Sequence, residues 1–280
     1  MSIHGVLGEH TSYPTTYDPT ILYPISRRIG RDEILKDTGI KLHDDCHGVD
    51  VWQAFELSWL NTVGISQVAM ARFTIPASSP NIVESKSLKL YLNSLNFTPF
   101  ATIDDVKQTI ATDLSACVGA DVGVQIVGLG DDTLAVCSPV GVCIDDSLAD
   151  SQEMVALSDD VDSRFLTATQ GELTHYQFYS HLLRSNCPVT NQPDWGTVSV
   201  EMTTNRQLQF GEILKYILSF RQHNGFHEQC VERIFADFMK VFEPSSLLVQ
   251  ANYTRRGGID INPVRVFNCD VGVLGRLVRQ

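Results

Sequence analysis

The alternation of apolar and polar positions divides the chain into two similar halves. Residues 1 to about 45 are polar, carry prolines at 14, 19 and 24 and show little periodicity, which predicts a lead-in packed on the surface. From Trp52 to Ile75 an apolar-rich run ends at Pro76, predicting a turn of helix or an irregular segment followed by a strand. Leu88, Leu90 and Leu92 alternate with Lys89, Tyr91 and Asn93, the period of two of a half-buried strand, with Glu84 and Lys86 of the same parity at its mouth. Thr102 and Asp105 form a capping-box pattern, and Ile103, Val106, Ile110 and Leu114 recur at helical spacing. Val122, Val124 and Ile126 then alternate as a strand.

The second half repeats this order. After a turn-rich acidic stretch at 128–160, strand-like runs cover 164–182 and Val198, Val200 and Met202. Two helices follow, GEILKYILSFRQHN and EQCVERIFADFMKVF, the latter with Val231, Ile234, Phe235, Phe238 and Phe242 on one face and Pro244 beyond its end. Leu247 to Tyr253 reads as a strand that leads through TRRGG into another. The expectation is an α+β fold in two modules, 46–127 and 161–280, joined by the acidic connector at 128–160.

Composition narrows the class. The chain has 280 residues, 43% hydrophobic and 19% charged, without the ~18-residue apolar run of a membrane span. Its start, MSIHGVLGEHTSYP, lacks the basic and apolar segments of a secretory signal, so a cytoplasmic location is expected. The seven cysteines include no CxxC pair, which suits reduced thiols. A net charge of −12 repels phosphate backbones, so no direct nucleic-acid partner is expected, and no membrane partner either.

The candidate chemistry centres on SNCPVTNQPDWG, 185–196, where Cys187 and Asp194 fall on one expected loop pinned by Pro188 and Pro193. A thiol that ionises near ~8.5 needs a neighbour to take its proton before it attacks at neutral pH, and Asp194 can fill that place. Neither GxGxxG nor GxxxxGK occurs, which argues against a Rossmann domain or a P-loop. HEQCV at 227–231 has valine where HExxH needs its second histidine, so the only zinc set in view is Cys187, His227 and Cys230. Three polar clusters each admit a plain structural reading. IVESKS at 82–87 reads equally as a solvated strand end, FHEQC at 226–230 as helix capping, and YTRRGG at 253–258 as a hairpin turn.

Taken together, SNCPVTNQPDWG, ESKSLKLYLNS, FHEQCVERIF and YTRRGGIDINP resemble, in order, the motifs of the NADPH-dependent 7-cyano-7-deazaguanine reductases, the nitrile reductases of queuosine biosynthesis, in their long form. The resemblance implies tandem tunnelling-fold modules, antiparallel sheets with helices on one face. It also implies Cys187 as the nucleophile that forms a thioimide, Asp194 as proton carrier and His227 as a further proton donor. Val83, Glu84, Ser85, His227 and Glu228 would hold the deazapurine substrate, and Ser85, Lys86, Arg256 and Gly257 would hold NADPH, with no metal required. The site would draw on both halves, and the protein would form a homodimer or larger assembly. A zinc-dependent hydrolase of the GTP cyclohydrolase type is the alternative on the same fold.

Overall fold

The computed structural model describes residues 13–131, 135–151, 155, 158 and 160–280. Most of the N-terminal stretch read for a signal, and the connector positions 132–134, 152–154, 156–157 and 159, lie outside the described residues. The elements are β1 (Pro24–Ser26), α1 (Arg28–Thr38), α2 (Leu42–Asp45), β2 (His47–Leu60), β3 (Ser66–Pro76), β4 (Asn81–Val83), α3 (Ser85–Leu95), α4 (Ile103–Val118) and β5 (Gly123–Val127). They continue with β6 (Val142–Cys143), β7 (Thr169–Asn186), β8 (Pro193–Gln207), α5 (Phe210–Ser219), α6 (His227–Phe242), β9 (Ser246–Tyr253) and β10 (Ile259–Phe267). The stretch expected as a lead-in thus contains the strand β1 and the helices α1 and α2. The fold is mixed α and β, its pairings antiparallel except for the short β6 against β7. No described helix is long and apolar enough to cross a membrane.

Two compact units interleave along the chain. The first takes the described residues of Met1–Ile29, Val49–Ala135 and Arg255–Ile261, and the second those of Gly30–Gly48, Val136–Thr254 and Asn262–Gln280.

In the first unit β3 lies between β2 and β5, and β1 pairs with β4. Trp52, Ala54, Leu57 and Trp59 of β2 enter the core with Ala69, Ala71, Phe73 and Ile75 of β3. Their parity switches from even to odd because a bulge between Ala54 and Leu57 adds one residue to β2. That break in alternation explains why the first part of 52–75 reads as a turn of helix or an irregular segment ahead of one strand, whereas the structure makes the run two long strands. The expected strand at 88–92 is a correction of the same kind. Leu88, Tyr91, Leu92 and Leu95, spaced at the helical repeat, are the residues of α3 that join the core. Of the alternating leucines, Leu88 and Leu92 lie on that face, while Leu90 is buried outside this cluster. α4 begins where the capping box placed it, with Thr102 Oγ1 accepting from the Asp105 N–H at 3.1 Å and Asp105 accepting from the Thr102 N–H at 2.9 Å.

In the second unit the strand order is β10-β9-β8-β7-β6. Val198, Val200 and Met202 of β8 and Leu247, Val249, Ala251 and Tyr253 of β9 point into a core completed by α5 and α6. The expected apolar face of α6 is buried throughout. Glu232, also on α6 and buried, accepts from Arg31 at 2.6 Å and from Arg265 at 2.9 Å, which pairs its charge and ties the helix to β10. At Gly48 φ is +145°, and a Cβ there would lie 2.0 Å from the Val264 carbonyl oxygen. Gly48→Ala is therefore expected to destabilise the protein by more than about 2 kcal/mol. An unchanged thermal unfolding midpoint would show that this close approach is not required.

Candidate active site

Cys187 follows the last residue of β7, and the chain returns along β8 from Pro193. The Cys187 N–H donates to Gln192 O at 2.9 Å and the Asn191 N–H to Cys187 O at 2.9 Å, with Asn191 in the left-handed region at φ 54°. The turn is therefore closed by backbone bonds. Asp194 was expected on the same loop, but it lies on β8 opposite Ser185, because Pro193 opens the strand rather than ending the loop. A strand position holds the carboxylate more firmly than a loop does, and Asp194 is only 4% exposed.

The start of α6 is tied to this hairpin. The Asn186 N–H donates to His223 O at 2.8 Å, and the Gly225 N–H donates to Asn186 O at 3.1 Å. These two bonds bring the residues before α6 alongside the residue before Cys187. Gln229 accepts the Phe226 N–H at 3.1 Å and squares off the helix entrance. His227 and Glu228 then occupy its first turn, where a carboxylate is favoured by the helix dipole. His227 Nε2 stands 3.4 Å from Asp194 Oδ2, within ion-pair distance but without a formed hydrogen bond. Glu228 is 3% exposed.

Beneath this pair lie Ser185, Cys230 and Tyr253. Burial pushes the Cys230 thiol up to about 12, against the opposing pull of Ser185 and Tyr253. It stays protonated at neutral pH, whereas the half-buried Cys187 is reachable from solvent. Burial likewise raises the Tyr253 hydroxyl well above its ordinary value. Ser185 Oγ and Tyr253 OH make no hydrogen bond of ordinary geometry, and the Cys230 sulfur beside them is a weak partner. Among the described residues no three His, Cys, Asp or Glu side chains gather as a metal-ligand set, so the trio considered for zinc is not assembled.

The remaining candidates belong to the first unit. Val83 ends β4 and is buried. Glu84, expected at a strand mouth, is instead the N-cap of α3, accepting the Lys86 N–H at 2.9 Å and the Ser87 N–H at 2.6 Å. Ser85 and Lys86 open that helix. Arg256 and Gly257 lie in a tight turn closed by Arg256 N–H to Ile259 O at 2.9 Å, with Gly257 and Gly258 at φ 60° and 79°. Positive φ at both central positions is the type I′ hairpin geometry that two glycines allow. Gly258 O accepts the Phe55 N–H at 2.9 Å, and Arg255 stacks 4.8 Å over the Phe55 ring. Gly257, Gly258, Lys89 and Asn93 border an open cleft of about 330 Å³.

These features define a mixed α and β protein with a thiol and a buried carboxylate on one hairpin and an imidazole 3.4 Å from that carboxylate. Residues 13–126 match the family described as nitrile reductase, 7-cyano-7-deazaguanine-reductase N-term, and residues 193–269 match QueF-like protein. The chain belongs to the 7-cyano-7-deazaguanine reductase family. It is 58% identical to the NADPH-dependent 7-cyano-7-deazaguanine reductase of Psychrobacter cryohalolentis and 56% identical to that of Psychrobacter arcticus, with 100% of both chains covered in each comparison. Identity to the enzyme of the same name from Acinetobacter baumannii strain AYE is 49%, over 94% of this chain and 93% of that one. Among solved structures, the apo form of the archaeosine synthase QueF-Like aligns with a TM-score of 0.31 at 20% identity, covering 38% of this chain and 100% of that one.

The motif residues Cys187, Asp194, His227 and Glu228, far apart in sequence, thus meet at one hairpin and one helix start. Sequence reasoning missed Ser185 and Tyr253, although both stand inside quoted motifs. Their position depends on strand register, which no local pattern discloses.

Proposed function

We propose that this chain reduces the nitrile of 7-cyano-7-deazaguanine to the aminomethyl product with NADPH, in queuosine biosynthesis. The observation that carries the reading is one hairpin that bears Cys187 and the buried Asp194, with His227 Nε2 3.4 Å from that carboxylate, on a chain that matches reductases of that name over its full length. Cys187 Sγ adds to the nitrile carbon while Asp194 takes the thiol proton and passes it to nitrogen, so that S–H adds across the C≡N bond to give a thioimide. Reduction of the thioimide carbon and cleavage of the C–S bond return Cys187 as a thiol and leave an imine. His227 donates the proton that nitrogen needs as the imine becomes the amine. Glu84 and Glu228 accept the N–H donors of the pyrimidine edge, with the backbone of Val83 and Ser85 alongside. NADPH, when bound, supplies one hydride in each of the two reductions, so that nitrile, two NADPH and two protons balance to the neutral amine and two NADP+.

The residues put forward for NADPH fit a polyanionic dinucleotide. Gly257 presents bare backbone at a turn where a Cβ would crowd Lys89 Cδ at 3.2 Å, and Arg256 stands next to it. The N–H groups of Lys86 and Ser87 are taken by Glu84, so contact at α3 falls to Ser85 and the Lys86 ammonium. Lys86→Ala and Arg256→Ala are each expected to raise the NADPH requirement by roughly ten- to a hundredfold, the loss of one charge-assisted hydrogen bond, while the thioimide still forms. Unchanged NADPH dependence in both variants would remove these residues from the cofactor site.

The tandem tunnelling-fold reading rests on element order. Apart from the three-residue β4, the elements β2, β3, α3, α4 and β5 run as two strands, two helices and a strand, and β7, β8, α5, α6, β9 and β10 repeat this with one strand more. A cytoplasmic homodimer or larger assembly belongs to the same reading, and sedimentation of the purified protein tests it. The activity itself is tested by mixing the protein with the nitrile and following absorbance. A thioimide should appear without NADPH, and two NADPH should be consumed per nitrile once it is added; a protein that does neither refutes the reading.

A further inference from the structure

Tyr253 closes β9, and no step above uses it. Its backbone pairs with Gly196, two residues after Asp194 on β8 and so on the same face of that strand. Gly196 leaves the space that the tyrosine ring fills, since a Cβ there would come within 3.2 Å of Tyr253 Cδ1. The same ring meets the His227 imidazole at 4.0 Å between centroids and 32° between planes. At its other end the Tyr253 carbonyl accepts from Gln280 Nε2 at 3.1 Å, and Gln280 is itself bonded to Asn262 at 2.6 Å and to the Leu277 N–H at 2.9 Å. The ring is fully buried and cannot drift.

We infer that Tyr253 is the positioning residue for His227, an aromatic shelf that holds the imidazole plane so that Nε2 stays aimed at Asp194 and at the substrate nitrogen. This rests on the reading of His227 as a proton donor. The reason is chemical. A hydrogen bond at Nε2 would orient the ring only by occupying the nitrogen that must exchange a proton, and Nε2 in fact makes none. Contact with the face of the ring orients it and leaves its edge open. Asp194 on β8 faces Nε2 and Tyr253 on β9 faces the ring, while Ser185 on β7 and Cys230 on α6 lie against Tyr253 itself. Of these, Tyr253 alone is recorded against the plane of the ring.

The test uses the full-length protein with 7-cyano-7-deazaguanine and NADPH and compares Tyr253→Phe, Tyr253→Leu and Gly196→Ala with the parent. Phenylalanine keeps the shelf and should keep kcat within about threefold, whereas leucine should lower kcat by about ten- to a hundredfold, the scale of a catalytic group misplaced by about 1 Å. KM for both substrates and the thioimide yield should stay at parental values in the leucine variant. If that variant does not fold, Gly196→Ala, which presses the ring by a few tenths of an ångström, should still show a several-fold loss in kcat alone. Parental kcat in the leucine and alanine variants overturns the inference, as does an equal loss in the phenylalanine variant or a loss confined to KM. A parent that consumes no NADPH with the nitrile overturns the proposed function together with this inference, while an active parent with unaffected variants overturns the inference alone.

Discussion

Cys187→Ala is expected to abolish turnover and the thioimide together, with a loss of at least about 10⁴-fold, since it removes the proposed nucleophile of the covalent route. Burial raises the neighbouring Cys230 thiol to about 12, Cys46 to about 12 and Cys117 to about 11, so none of these supplies a thiolate at neutral pH. Binding of the nitrile should survive, because the proposed grip on it comes from carboxylates rather than from sulfur. Calorimetric titration of the alanine variant with the nitrile, set beside its NADPH consumption, separates the two effects. Continued NADPH consumption would refute covalent catalysis. Loss of binding along with activity would instead mean that the turn Cys187–Gln192 shapes the pocket, a role its closing backbone bonds make possible to test with Cys187→Ser.

The second large effect is expected at Asp194. Asp194→Asn keeps the shape of the side chain and removes its ability to take a proton, and loss of a positioned acid–base group costs about 10²- to 10⁴-fold. The thioimide should form slowly or incompletely at neutral pH, and single-turnover absorbance measures this step apart from reduction. The substitution also replaces the carboxylate 3.4 Å from His227 Nε2 with a neutral amide, so the later proton transfer should slow as well. Thioimide formation at the parental rate would remove Asp194 from the first step. In that case a slowed second reduction would leave it only as the partner of His227.

The difference in legibility between these residues and their surroundings is physical. The capping box at Thr102 and Asp105 and the apolar stripe of α6 could be read directly, because helix caps and 3.6-residue periodicity are interactions among near neighbours in the chain. The strand pair β2 and β3 was obscured by one bulge, which shifts the buried parity from Ala54 to Leu57 and cancels the alternation a strand needs to be recognised. In α3 the alternating leucines mimicked a strand, and the core settled the matter by burying Leu88, Tyr91, Leu92 and Leu95. That outcome turned Glu84 from a strand-mouth residue into an N-cap whose carboxylate already holds two backbone N–H groups.

At the hairpin, side-chain chemistry was available from the sequence alone: a thiol at 187, a carboxylate at 194, an imidazole at 227 and a second carboxylate at 228. Their ordered motifs were enough to point to a family, because residue identity and spacing are properties of the chain. Tertiary structure decided how the parts are held. Asn186 bonded to His223 and Gly225 draws the start of α6 to the hairpin, and the register of β8 with β9 sets Tyr253 over Gly196 and against His227. Each of these depends on a pairing between segments tens of residues apart. Such pairings follow from packing and register across the whole sheet, and no local run of residues encodes them.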